Sequence, residues 1–222
     1  MTSEFHPPLE EYLQAIESLA EEGSPVIQAR IAERLGKSAP SVSEMLDRLS
    51  AEGYVTRSGR SITLTDRGRG VAQSVIRKHR LAERLLVDVI GLPWHKVHAE
   101  AGRWEHVISD EVEERLVALL GDPGTCPHGN PIPGSANCVS LPARQQSLAD
   151  VRPGQSVHFE RMTEEVELDQ ASLRYLDEAG FIPGSSAKVQ TRAPDGTLML
   201  ELDDRTLALG QDLCRRLFVD VS

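Results

Sequence analysis

The chain has 222 residues, 40% of them hydrophobic, and a formal net charge of −10. That is enough for one large domain or two or three small ones with a true core. Its three cysteines, Cys126, Cys138 and Cys214, are far apart with no CxxC, which excludes a disulfide framework. No apolar run approaches a membrane span, and MTSEFHPPLEEYL has neither a basic nor an apolar leader segment, so a cytoplasmic protein with no membrane partner is expected.

Charge is unevenly placed. Residues 1–27 carry six acids and no Lys or Arg, whereas residues 28–70 carry eight Lys/Arg against five acids. A basic segment in an acidic protein can still meet nucleic acid. Residues 8–22 place Leu9, Tyr12, Leu13, Ile16 and Leu19 on one stripe, an amphipathic helix ended by Gly23. A second helix spans 26–35, and Gly36 and Lys37 turn the chain. Ser38 caps a third helix with Pro40 in its first turn. Tyr54–Thr56, a Ser58-Gly59-Arg60 turn and Ile62–Leu64 read as a hairpin. This order predicts a winged helix-turn-helix. Ser38, Pro40, Ser41 and Ser43 would then meet base edges or nearby phosphates of double-stranded operator DNA, and Arg48, Arg57 and Arg60 the phosphates. The competing reading is a three-helix piece of a larger α domain with scattered arginines.

The helix that begins at Thr65 carries His79 and Glu83, four apart on one face. Pro93 suits the first turn of a further helix presenting His98, Glu105 and His106. Imidazoles and carboxylates so spaced suit a divalent metal, and equally suit a pair of solvated polar helices. Val89, Ile90, Trp104, Val107, Ile108, Val112 and Leu116 exceed what one short helix pair buries, so a two-fold interface is expected there. Residues 121–146, rich in Pro, Gly, Ser and Asn, read as a linker or ordered loop. Within them Cys126-Pro127-His128 offers a thiolate and an imidazole, or is incidental. From about 147, short alternating runs with one helix at Asp169–Glu178 predict a small β-barrel. The fold class is α+β: residues 1–72 a winged helix, 73–140 a helical dimerisation and metal domain, 147–222 the barrel.

Several stretches together carry a resemblance: ARIAERL (29–35), RKHRLAERLL (77–86), KVHAEAGRWEHV with SDEVEERL (96–116), HGNPIPG (128–134) and a C-terminal barrel like FeoA. The chain resembles the diphtheria toxin repressor family of metal-activated transcriptional regulators along nearly its whole length. The resemblance implies a homodimer that binds a palindromic operator when loaded with Fe(II) or Mn(II). It implies one metal set of His79, Glu83 and His98, completed by Glu167 and Gln170 of the barrel. It implies a second set of Glu105 and His106 with Glu11, which stands where iron sensors have Met. Where iron sensors have Cys this chain has Gly102, without a side chain, so the first set is expected to be the tighter. The carboxylate at Glu11 resembles the manganese-sensing branch, whose members also use a Cys-x-His as ligands, here Cys126 and His128. The resulting expectation is a repressor of metal-uptake genes with Mn(II) favoured over Fe(II), not an enzyme. A metalloenzyme would need a nucleophile motif and open coordination, neither of which is visible. A winged-helix regulator with an organic ligand, or none, would bind operator without metal.

Overall fold

In a computed structural model the chain is described over residues 7–139, 141, 146–203 and 205–221, without the side chains of Pro7 and Pro8. It divides into two compact units, one running to His79 and including Arg103–Ser109, the other comprising Arg80–Gly102 and the chain from Asp110 onward.

In the first unit, α1 (Pro7–Glu21) buries Leu9, Tyr12, Leu13, Ile16 and Leu19. α2 (Gln28–Leu35) ends at Gly36, whose φ of 60° is the left-handed C-cap that lets the chain turn at once into the next helix. α3 (Ala39–Ala51) starts at Ser38, whose Oγ accepts from the Ser41 amide, with Pro40 in the first turn where its missing N–H costs nothing. Val42, Leu46 and Leu49 lock α3 onto Ile31 and the α1 stripe. β1 (Val55–Ser58) and β2 (Ser61–Leu64) pair antiparallel as the wing. α4 (Asp66–Arg84) follows and crosses from the first unit into the second.

In the second unit, α4 widens into a π turn at Leu85–Val89, and Gly91, at a φ of 75°, lies just beyond it. The expected helix carrying His98, Glu105 and His106 together does not exist. A 3-10 turn at Trp94–Lys96 leads into α5 (Val97–Ala101), turns occupy 102–107, and α6 (Asp110–Leu120) starts afresh. Gly102 favours helix poorly, and Asp110, Glu111 and Glu113 favour a new N-terminus. The C-terminal elements are β3 (Ser156–Met162), α7 (Glu164–Glu167), α8 (Gln170–Ala179), β4 (Ser186–Arg192), β5 (Leu198–Leu202), β6 (Arg205–Leu209), α9 (Gln211–Cys214) and β7 (Leu217–Val221). Their antiparallel order is β6-β5-β4-β3-β7, and among the described residues no pairing joins the two edges. The FeoA-like part is thus a five-stranded sheet around Phe159, Phe181, Leu173, Leu200 and Leu217 rather than a closed ladder.

One irregularity positions the site. Phe159 pairs with Val219 but Arg161 pairs with Phe218, so Glu160 is an extra residue in β3. Such a bulge re-aims side chains. Arg161 is buried with its guanidinium over the Phe218 ring. Against the bulge packs the 121–138 segment, an ordered loop. The Cys126 amide donates to Asn130 O (2.8 Å), Gly129 to Cys126 O (3.0 Å) and Met162 to His128 O (3.3 Å).

Candidate metal centre

Four buried side chains of the second unit converge. Glu83 comes from the last turn of α4, His98 from α5, His128 from the loop and Glu167 from α7. His98 Nδ1 lies 3.1 Å from Glu83 Oε1 and 2.9 Å from Glu167 Oε2. His128 Nδ1 is 3.2 Å from the same Glu83 oxygen and 3.8 Å from Glu167 Oε2. The Cys126 thiol joins Glu83 and His128, with one ligand atom of each within 4.8 Å of the others. Neither ring nitrogen of the fully buried His128 makes a hydrogen bond. Buried polar atoms are almost always satisfied, so unsatisfied nitrogens facing two carboxylates fit a divalent cation.

The electrostatics agree. Burial pushes Glu167 up, but His128 and His98 outweigh it and hold its carboxyl below the usual range. Burial, then Glu83 and Glu167, push the Cys126 thiol well above its ordinary value, so it is neutral here. Around the cluster, Asn130 Nδ2 donates to Glu167 Oε1, and Arg161 Nη1 donates to Asn130 Oδ1 (2.6 Å). The bulge therefore orients Glu167 through Arg161 and Asn130. Trp94 Nε1 donates to Pro127 O (2.9 Å) while its ring lies 4.8 Å from that of His128. A cavity of about 970 Å³ runs past Trp94, Gly129, Arg161 and Phe218, and of the cluster it touches only Cys126.

The first unit holds a second cluster. Glu105 Oε2 lies 2.5 Å from His79 Nδ1, and Glu105 Oε1 lies 3.2 Å from His106 Nε2. Burial raises the Glu105 pKa, but the hydrogen bonds from His106 and His79 win and set it at about 2. His106 is raised, first by its bond to Glu105 and then, against burial, by Glu10.

On the winged helix, Ser38, Pro40 and Ser41 are exposed and Ser43 is half-buried. Arg48 is paired with Glu52 (2.7 Å) and Arg57 with Asp47 (2.8 Å), whereas Arg60 is exposed at the wing turn with no ion pair among the described residues.

Three family models match in sequence: iron dependent repressor, N-terminal DNA binding domain, over residues 4–61; iron dependent repressor, metal binding and dimerisation domain, over 65–134; and FeoA domain over 146–221. The iron-dependent repressor IdeR of Mycobacterium tuberculosis is 41% identical over 220 residues, covering 95% of this chain and 96% of its own. The chain belongs to the diphtheria toxin repressor family. The diphtheria toxin repressor of Corynebacterium diphtheriae is 39% identical over 218 residues, with 95% and 96% covered. A solved manganese-dependent transcriptional repressor in complex with manganese is 33% identical with a TM-score of 0.83, covering 95% of this chain and 98% of its own. This family member is a metal-dependent, DNA-binding transcriptional repressor with a dimerisation domain, not an enzyme. No helix among the described residues is long and apolar enough to cross a membrane.

Of the residues expected to hold metal, the second unit brings together Glu83, His98, Glu167, Cys126 and His128. Gln170 is not among them. It is exposed at the start of α8, where Asp169 caps the helix through the Ala171 amide. Glu105 and His106 meet, but Glu11 stands beside Lys37 (3.9 Å) and it is Glu10 that reaches His106. Sequence reasoning missed Asn130, Arg161 and Trp94. Asn130 sits in the HGNPIPG stretch, and a polar residue inside an otherwise apolar, turn-rich motif was the available signal.

Proposed function

We propose that this repressor responds to Mn(II) and controls metal-uptake genes, with residues 1–72 on DNA, 73–140 in the dimer and metal sites, and 147–222 as the FeoA-like domain. The observation that carries the Mn(II) preference is the Glu105–His106 cluster. The contacts of this cluster, Glu10, Glu105, His79 and His106, are all oxygen and nitrogen, which suits the harder ion. The manganese-bound relative supports the same reading. Iron(II) is the second reading, favoured by the Cys126 thiol beside Glu83 and by the iron-dependent repressors at 41% identity. Glu83, His98, Glu167 and His128 hold the cation, with Cys126 alongside and His79 one helical turn before Glu83. A bound divalent ion supplies the positive charge that two buried carboxylates lack. By neutralising them it favours the arrangement that matches the operator half-sites, and it shifts the equilibrium only by its differential affinity.

Anaerobic titration of a selected operator duplex with Mn(II), Fe(II) or chelator decides this. Binding at lower free Mn(II) than Fe(II) is expected. The opposite order makes iron the effector, and chelator-insensitive binding removes metal control altogether.

Two further expectations concern the surfaces. Ser38, Pro40, Ser41 and Ser43 face the bases, and Arg60 holds a phosphate. Arg48 and Arg57 can follow, because exposed pairs such as theirs are worth only about 0.2–1 kcal/mol. Arg60→Ala should weaken binding to all sequences alike and lower the salt slope by roughly one unit. A loss confined to one base position would show that Arg60 reads sequence. In the second unit Val89, Ile90, Val112 and Leu119 are exposed while Leu116 is buried. The exposed four supply the two-fold contact, so Leu119→Asp should give a monomer in sedimentation velocity; an unchanged dimer places the interface elsewhere.

A further inference from the structure

The outward face of α3 carries an acid that nothing in the protein neutralises. Val42, Leu46 and Leu49 are buried, so the helix turns Pro40, Glu44, Asp47 and Ala51 away from the core, and all four are exposed. The other charges near this face have partners. Asp47 Oδ1 lies 2.8 Å from Arg57 Nη1. Arg48, the natural partner of Glu44 at i, i+4, pairs instead with Glu52 (2.7 Å). Lys37, just before the helix, lies 3.9 Å from Glu11. Glu44 makes no hydrogen bond or ion pair among the described residues. It also stands beyond the first turn of α3, where the helix dipole no longer steadies an anion.

Glu44 follows Ser38, Pro40, Ser41 and Ser43, the residues read above as facing the bases, and lies one turn beyond Pro40. Phosphates repel a carboxylate there, so general affinity for DNA does not favour it. Only a donor on a base edge offsets that repulsion. In the major groove such donors are the N4 amino group of cytosine and the N6 amino group of adenine; guanine shows two acceptors, and thymine an acceptor and a methyl. Adenine also sets its N7 acceptor beside N6, which repels a carboxylate. Glutamate therefore fits cytosine, as glutamine fits adenine.

We propose that Glu44 is a specificity-determining residue of this repressor, whose carboxylate accepts a hydrogen bond from the N4 amino group of one cytosine in each operator half-site. Its charge rejects guanine and thymine at that position. The same charge weakens binding to unrelated DNA, which widens the gap between operator and competitor. Asp47 and Glu52, each held by an arginine, are not free to do this. The assignment rests on the reading of α3 as the helix that enters the major groove.

Full-length protein, saturated with whichever of Mn(II) and Fe(II) activates it, selects duplexes from a random pool. Binding to the selected duplex and its single-base variants is followed by fluorescence anisotropy. The parent should retain one cytosine per half-site. Changing it in one half-site to thymine, or to N4-methylcytosine, whose methyl occupies the groove-facing amino position, should cost about tenfold. Glu44→Gln should move the preference at that position to adenine, remove the penalty for N4-methylcytosine and bind unrelated duplex more tightly at low salt. Glu44→Ala should lose the preference there and keep the others. Both variants replace an exposed side chain and should keep the parent's thermal midpoint. Selection of the parent sequence by both variants, with the parent's affinities, overturns the proposal. Ser41→Arg, also exposed on α3, separates the two ideas. If it alters the selected sequence or abolishes selective binding while the Glu44 variants do neither, only the Glu44 assignment fails. If it too leaves the selected sequence unchanged, α3 does not read the groove and the proposal falls with that reading.

Discussion

Glu83→Gln is expected to remove the tightest divalent-metal site while leaving the metal-free protein at least as stable as the parent. One oxygen of Glu83 faces both His98 and His128, so a neutral amide there takes charge and a shared contact from two neighbours at once. Loss of outer-shell partners alone costs about 10–100-fold in affinity, and a direct ligand should cost roughly 1,000-fold, or about 4 kcal/mol. In the metal-free protein the sign reverses. Glu83 and Glu167 are both buried near each other, and removing one of two like charges relieves that. Thermal unfolding with and without Mn(II) reads both effects: the midpoint without metal should hold or rise, and the increase on adding Mn(II) should vanish. A variant that is strongly destabilised without metal yet keeps its Mn(II) increase would show that Glu83 is structural.

Local patterns in the chain foretold the winged helix, because a cap at Ser38, a left-handed turn at Gly36 and a strict apolar stripe act within a few residues. The pairing of Glu83 with His98 and Glu167 came through the family resemblance rather than through spacing, since the three lie on separate elements. Where the chain misled, long-range packing was responsible. Glu105 and His106 lie within a helical spacing of His98, yet residues 103–109 pack with the first unit and break away at Gly102. That Glu10 rather than Glu11 lies against His106 depends on the rotation of α1 against its core. Arg161 gave no signal, because its role depends on an extra residue in β3 whose partner strand is more than fifty residues away.

Gly129→Ala should be the most damaging single methyl in the second unit. The residue sits at a φ of 86°, and a Cβ there would lie 1.9 Å from the Glu160 carbonyl oxygen and 2.8 Å from Arg161 Cα. Both neighbours are backbone at the bulge, so neither a rotamer change nor a flexible tip can make room. Left-handed strain alone costs about 1–2 kcal/mol, and displacing the loop should bring the total to about 2–4 kcal/mol. The loop carries Cys126, His128 and Asn130, so metal affinity should fall with stability even though no ligand has changed. Denaturant unfolding without metal and a Mn(II) titration of the folded variant measure the two losses separately. A loss under about 0.5 kcal/mol, typical of a surface change, would mean the loop and the strand do not meet as described.

The burial of Cys126 also bears on oxidative damage. Alkylation and peroxide attack proceed through an accessible thiolate. Cys126 is 1% exposed and held neutral, and Cys214 is buried with its pKa pushed by burial to about 11. Cys138 alone is exposed. The native metal-free protein should therefore label with iodoacetamide once, at Cys138. Oxidants in the cell would meet that thiol first, and the sulfur beside the metal site would be spared until the loop opens.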